Sequence, residues 1–254
     1  MSQKRKRKKR EQARRSRARQ RHGNTPDRLS ERGLLATWAD RARQAASGYL
    51  RRDDLADNVL ALADEIRALA LRGMERSPLS GRHECRPGCD PCCHTAVTVA
   101  APEAFAIVRH LQTHIPADAL REVRDKMDRN AALASSMTRE AYIAELIPCA
   151  LRTEDGNCRV HAVRPIACAG FLSTSRAKCL DEFNRVPGRD PVPTDRYAMM
   201  VGLGVSHGLS DACKQAGLDG TFYELHHALR RVMDTRDPID TWSRNEGLFD
   251  DCLQ

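Results

Sequence analysis

Apolar residues recur every three to four positions along most of this chain. Leu35, Trp38, Ala42 and Ala45 form one stripe within residues 34 to 47, and Leu55, Val59, Leu60, Leu62, Ile66, Leu69 and Leu71 form a second within 52 to 74. Both match the 3.6-residue period of a helix with one buried face, and Ser77, Pro78, Ser80 and Gly81 supply the stop after the second. The pattern predicts a helix over 101–115 with Pro102 and Glu103 in its first turn, and a longer one over 116–147. It resumes over 194–216 and 221–233, while the segment after Pro238 reads as short irregular structure. Between Cys149 and Cys168 the helical period lapses. Asp155-Gly156-Asn157 signals a tight turn between short segments and Arg164-Pro165 starts a new local structure, so a small hairpin followed by a helical turn is expected there.

Composition reinforces the helical reading. Aromatic residues make up only 4% of the 254 residues, whereas Ala, Leu and Arg abound, which favours helices of small and straight-chain residues over sheets. The formal charge of +8 is not spread over a face. Residues 1 to 21 hold twelve Lys and Arg against Glu11, a local +11, and the rest of the chain is therefore −3. Residues 1–33 read as a disordered basic tail and 34–254 as a single helical domain. Residues 1 to 21 can tether the protein to nucleic acid or another anionic surface through counterion release. A solvated tail with no specific partner is the equal alternative. No apolar h-region follows the basic run and no stretch approaches a membrane span, so a soluble, cytoplasmic protein is expected. In a reducing compartment ten cysteines point first to metal ligation and second to catalysis.

The cysteines fall into two groups. Cys85-Arg-Pro-Gly-Cys89-Asp-Pro-Cys92-Cys93-His94 places four thiols in nine residues, with Pro87, Gly88 and Pro91 bending the chain between them. Thiolates at this spacing in a Pro- and Gly-containing loop can converge on one metal. Adjacent side chains diverge, so Cys92 and Cys93 are expected to serve different centres, or one of them to stand outside the ligand set. The second group is Cys149, Cys158, His161 and Cys168, with Cys179 eleven residues on. Cys213 in a helix and Cys252 near the end read as small hydrophobes.

The run CRPGCDPCC, the helix opening with Pro102-Glu103, Cys149, Asp155-Gly156-Asn157-Cys158-Arg-Val-His161 and Arg164-Pro165-Ile-Ala-Cys168 together resemble the CxxCxxCC putative zinc- or iron-chelating domain. This is the YkgJ-like cysteine-cluster family, which includes the flagellin lysine N-methylases. The likeness covers residues 82 to 172. It departs from the pattern in a first spacing of three residues instead of two, and in His161 where Tyr is more usual. The resemblance implies a metal site assembled from Cys85, Cys89, Cys92, Cys93, Cys149, Cys158 and Cys168, with an iron–sulfur cluster or zinc as the cofactor. His161 is read as a polar ring on the hairpin rather than a ligand. The fold class expected is thus mainly α: a helical domain with a small irregular or hairpin metal-binding insert.

Seven ligand candidates exceed one tetrahedral zinc. A [4Fe–4S] cluster with spare thiols around it, or two zinc sites stapling the loops, would account for the surplus. The resemblance favours iron–sulfur and implies transfer of a methyl group from S-adenosylmethionine to a lysine of a protein substrate. The competing expectation is a non-catalytic, zinc-stapled helical module that its basic tail delivers to RNA or the ribosome. Cys85-x3-Cys89-x2-Cys92 also matches the spacing of radical enzymes, but those carry it on a (β/α) barrel, unlike this helical pattern. Gly202-x-Gly204 lacks a preceding strand and a following acidic residue, and is read as close helix packing. His207, His226 and His227 sit in helical stretches as ordinary surface or core residues. Glu103 and Glu145, near the cysteines in sequence, are candidates to orient a ligand or a substrate amine.

Overall fold

A computed structural model describes residues 30 to 50 and 55 to 252. The basic tail up to residue 29, on which the expected contact with nucleic acid or another anionic surface falls, lies outside the described residues, as do 51 to 54. The fold is mainly α. Helices α1 (Glu31–Ser47) and α2 (Leu55–Met74) bury Trp38, Ala42, Leu55, Val59, Leu62 and Ile66 of the expected stripes, while Leu35, Ala45, Leu60, Leu69 and Leu71 are half-buried and Leu34 and Ala46 complete the inner face of α1. After the cysteine loop and a single 3-10 turn (Pro91–His94) come β1 (Thr98–Val99), α3 (Ala101–His114), α4 (Ala117–Ser136) and α5 (Arg139–Ala144). A 3-10 turn (His161–Val163), α6 (Ile166–Gly170), α7 (Arg176–Phe183), α8 (Arg196–Gln215), β2 (Tyr223–Glu224), α9 (Leu225–Asp234) and α10 (Pro238–Ser243) complete the order.

Three of these elements differ from the sequence pattern. The long helix expected over 116–147 breaks at Met137, where the extended backbone leads to Thr138, whose hydroxyl accepts the Ala141 N–H and caps a new short helix. Residues 221–224 are not helical: Tyr223 and Glu224 pair antiparallel with Val99 and Thr98, a long-range bond that local periodicity cannot report. The segment after Pro238 holds a helical turn with Pro at its start, not irregular structure alone.

Helix α8 is the hub. It packs against α2 and α6, while α9 lies on α3 and α4. The close approach of α1 to α8 runs over glycines: a Cβ at Gly204 would stand 2.5 Å from the Leu35 carbonyl oxygen, and one at Gly208 would overlap that of Ala39. Gly202-x-Gly204 thus serves helix packing. Cys213 is fully buried in this core, and Cys252 packs against it. No described helix is long and apolar enough to cross a membrane.

Candidate metal centre

Four chain segments meet at the cysteines: the loop 85–94, the segment 148–158, the turn and helix 161–170, and α7. Two glycines let the first two touch. Gly88 and Gly156 both adopt left-handed backbone, at φ of 76° and 80°, and a Cβ on Gly156 would stand 3.2 Å from the Gly88 carbonyl oxygen. An ion pair between Asp90 and Arg152 and a hydrogen bond from the Cys149 N–H to the Cys93 carbonyl (2.8 Å) join the same loops. An isolated bridge between Arg152 and Cys158 closes the turn, so the expected hairpin is present in its shortest form. Glu103 fastens the third segment: its carboxylate accepts the Ile166 N–H (2.9 Å) at the start of the helix carrying Cys168, and the Ala100 N–H (3.1 Å). Burial raises its pKa, against those two hydrogen bonds. Its role is structural, holding Cys168 in place rather than facing a substrate.

The thiols form two neighbourhoods. Cys92, Cys93, Cys149, Cys158 and Cys168 lie within one another's electrostatic reach. Cys92 and Cys93 do not diverge: their side chains hydrogen-bond each other, which lowers Cys92 to about 7 while Cys93, its proton shared and its surroundings crowded with thiols, is raised. Burial is the first cause that raises Cys158 and Cys168, and neighbouring thiols add to it; Arg164 opposes both. The second neighbourhood is Cys85, Cys89 and Cys179, with Cys92 between the two. Cys85 accepts the Ser173 N–H (3.4 Å) and lies 3.8 Å from the Ser173 carbonyl, while the Ser173 hydroxyl bonds Cys179. Cys179 stands outside the sequence-derived ligand set, because α7, which brings it back to the loop, carries no apolar stripe strong enough to read. Its eleven-residue offset from Cys168 was the one signal.

All seven cysteines named from the sequence therefore gather in one region, Cys85 and Cys92 exposed at its surface and the others partly covered. They are neighbours, not a ligand shell: among the described residues no three Cys, His, Asp or Glu side chains converge as they would on an ion. The donor chemistry fits a soft metal, since thiols crowded together hold their protons more tightly and a bound cation would relieve that crowding. His161 is exposed and held below the usual imidazole range by burial and then by Arg164 and Arg67, with no thiol among these influences.

A polar network missed by the sequence reading lies behind Cys149. The His226 Nδ1 hydrogen-bonds the Glu224 carboxylate (2.8 Å), while its Nε2 accepts the Ala150 N–H (3.2 Å) and lies 3.4 Å from the Asn130 amide. That amide donates to the Pro148 carbonyl (2.9 Å). Against the lowering effect of burial, Cys149 and Glu224 raise the His226 pKa, while the Ala150 N–H directed at Nε2 holds the ring as the neutral tautomer with its proton on Nδ1, towards Glu224. A second buried network anchors the other end: Asp195 accepts from Ser77 (2.5 Å), His83 (2.8 Å) and the Ala198 N–H (3.0 Å), tying the chain just before Cys85 to the start of α8.

Burial pushes the Asp195 pKa up, but these three hydrogen bonds more than offset it and leave the group below the ordinary carboxylate range. A depressed carboxylate contributes stability that is present above its unfolded pKa, about 3.9, and lost as pH falls through the folded value. Asp195→Asn is therefore expected to cost about 2 kcal/mol at pH 6, a difference that shrinks as pH approaches 3. Parallel thermal melts of the two proteins between those pH values measure it, and a constant gap would show that Asp195 does not act through its charge. Comparison of the chain with protein-family models, curated proteins and solved structures gave no match.

Proposed function

We propose that this protein is a metal-binding member of the YkgJ-like cysteine-cluster family, with an iron–sulfur centre. The observation that carries the reading is the meeting of Cys92, Cys93, Cys149, Cys158 and Cys168, from three separate chain segments, in mutual electrostatic reach beside Arg164. Five crowded thiols are an expensive way to fill a core, and a sulfur-only donor set suits iron–sulfur or zinc. Four of these, or some of them joined by Cys85 and Cys89 from the neighbouring group, would hold the metal, and Arg164 supplies positive charge towards a thiolate-rich site. A bound cluster would contribute electron transfer or Lewis acidity. The chain's own residues hold the loops that present the thiols: Glu103 fixes the Cys168 segment, and His226 with Asn130 fixes the backbone on either side of Cys149.

The family resemblance extends the proposal to methyl transfer from S-adenosylmethionine to a protein lysine in the cytoplasm. The second reading is a zinc-stapled module held on nucleic acid or another polyanion by residues 1 to 21. Its support is the packing of Cys149 and Cys158 against the hydrophobic core, where a metal would add directly to folding energy. Metal analysis of anaerobically purified protein separates the two. Brown colour, absorption near 400 nm and about four irons per chain are expected for the first. Colourless protein carrying stoichiometric zinc supports the second, and anaerobically purified protein without iron or zinc removes the metal centre altogether.

A further inference from the structure

The end of α3 remote from Glu103 carries two histidines one helical turn apart. His110 and His114 stand at i and i+4, on one face, and their rings are stacked with centroids 4.3 Å apart and planes 18° from parallel. That is closer than the Cβ atoms of such a pair, about 5–6 Å, so the rings lean together instead of spreading into solvent. Local hydrogen bonds set which nitrogen of His114 keeps a lone pair. Its Nδ1 faces the His110 carbonyl oxygen (3.1 Å), which can only accept, so Nδ1 is the donor. The same N–H reaches the Thr113 hydroxyl (2.7 Å), whose own proton goes to the Arg109 carbonyl oxygen (2.8 Å). The lone pair is thereby left on Nε2, and the ring is exposed. One ring nitrogen of the half-buried His110 donates to the Arg159 backbone, which leaves its other nitrogen as the acceptor. Burial and then the neighbouring His114 hold His110 below the ordinary imidazole range, so that ring is neutral at pH 7.

Two imidazoles on one helix face, each with one nitrogen fixed by an outer hydrogen bond and the other carrying a lone pair, are the arrangement that ligates a divalent transition ion. Imidazole suits zinc, nickel and copper, whereas calcium and magnesium take oxygen. The one cation that touches the pair is turned away from it: the Arg159 guanidinium lies 3.4 Å from the Glu122 carboxylate. We propose that His110 and His114 form a second metal site, for a zinc- or nickel-like divalent ion, with water in the remaining positions. Among the described residues no third Cys, His, Asp or Glu joins them. Two protein ligands are fewer than the four that close a structural zinc site, so the ion exchanges with solvent and does not staple the fold. Arg159 follows Cys158 directly, which sets the pair against the segment that carries that cysteine. The site shares no ligand with the cysteines, and it stands whatever metal they hold.

The test is a calorimetric titration of the purified full-length protein with nickel chloride, its bound metal recorded first, with near-ultraviolet absorption followed in parallel. Nickel taken up by cysteines gives thiolate-to-metal charge-transfer absorption, and nickel on imidazoles does not. A saturable binding step without that absorption is expected. His110→Gln and His114→Gln should each raise its half-saturating concentration roughly tenfold or more, because a chelating pair becomes a single ligand. Glutamine is a good helix former and neither position is buried, so the variants should melt with the parent when no nickel is added, and the lost step is not lost fold. The proposal is overturned if every binding step carries thiolate absorption, which places the nickel at the cysteines, or if the two variants titrate as the parent does. Either result leaves the cysteine-cluster reading standing, because none of its thiols is altered.

Discussion

Gly208→Ala is expected to destabilise the protein by about 3 kcal/mol, although alanine is the better helix former. In an unconstrained helix the exchange would gain about 1 kcal/mol. Here the added methyl would overlap the carbonyl oxygen of Ala39 and crowd the Ala42 side chain. A backbone oxygen inside a helix has no rotamer to escape into, so α1 and α8 must separate. That opens the contact of Gly204 with Leu35 and Trp38, and overpacking of this kind costs about 1–3 kcal/mol or more. For a domain of this size the melting midpoint should drop by roughly 6–12 °C. Gly48→Ala is the control, because a Cβ there meets nothing within 4 Å. Equal melting of the two variants would show that α1 does not rest on Gly208.

The same pair of helices marks what the sequence reveals. Stripes such as Leu55, Val59, Leu62 and Ile66 are local facts, and each became a buried face. The spacing Gly202-x-Gly204 was legible too, since two small residues on an apolar helix leave room for a neighbour. The strand of Tyr223 and Glu224 was not, because its apolar residues continue the helical period of α9 and only the distant Thr98 and Val99 make it extended. The break at Met137 depends on one capping hydroxyl, a weaker signal than the stripe it interrupts. At the candidate site the cysteines announce themselves by number and spacing. What holds them does not: Ser173 lies 88 residues from Cys85, and His226 lies 76 from Ala150. Isolated serines and histidines in helical stretches look ordinary until the fold returns them to a loop. The vicinal pair was misjudged for a related reason. The expectation that Cys92 and Cys93 diverge comes from extended chain, and they sit in a 3-10 turn.

His226→Leu is expected to cost about 3 kcal/mol and to loosen the backbone that presents Cys149. The ring is 4% exposed and links three groups: the Glu224 carboxylate, 5% exposed, the Ala150 N–H and the amide of Asn130. Leucine fills similar space, so the loss is polar rather than a cavity. It removes the ring partner of Glu224 and leaves the Ala150 N–H with none, and each buried polar group so left unsatisfied costs about 1–3 kcal/mol. Glu224→Gln is the informative companion. Its amide oxygen replaces only one of the two carboxylate oxygens that accept from the His226 Nδ1 and the His227 N–H, so one of those bonds is lost and a cost of about 1 kcal/mol is expected. Chemical denaturation gives both values. Amide hydrogen exchange adds the local readout, with faster exchange at Cys149 and Ala150 in the leucine variant, because their N–H groups sit between this network and the Cys93 carbonyl. If exchange there is unchanged while global stability falls, His226 supports the core alone. The loop carrying Cys149 is then held by Asn130 and the first cysteine segment.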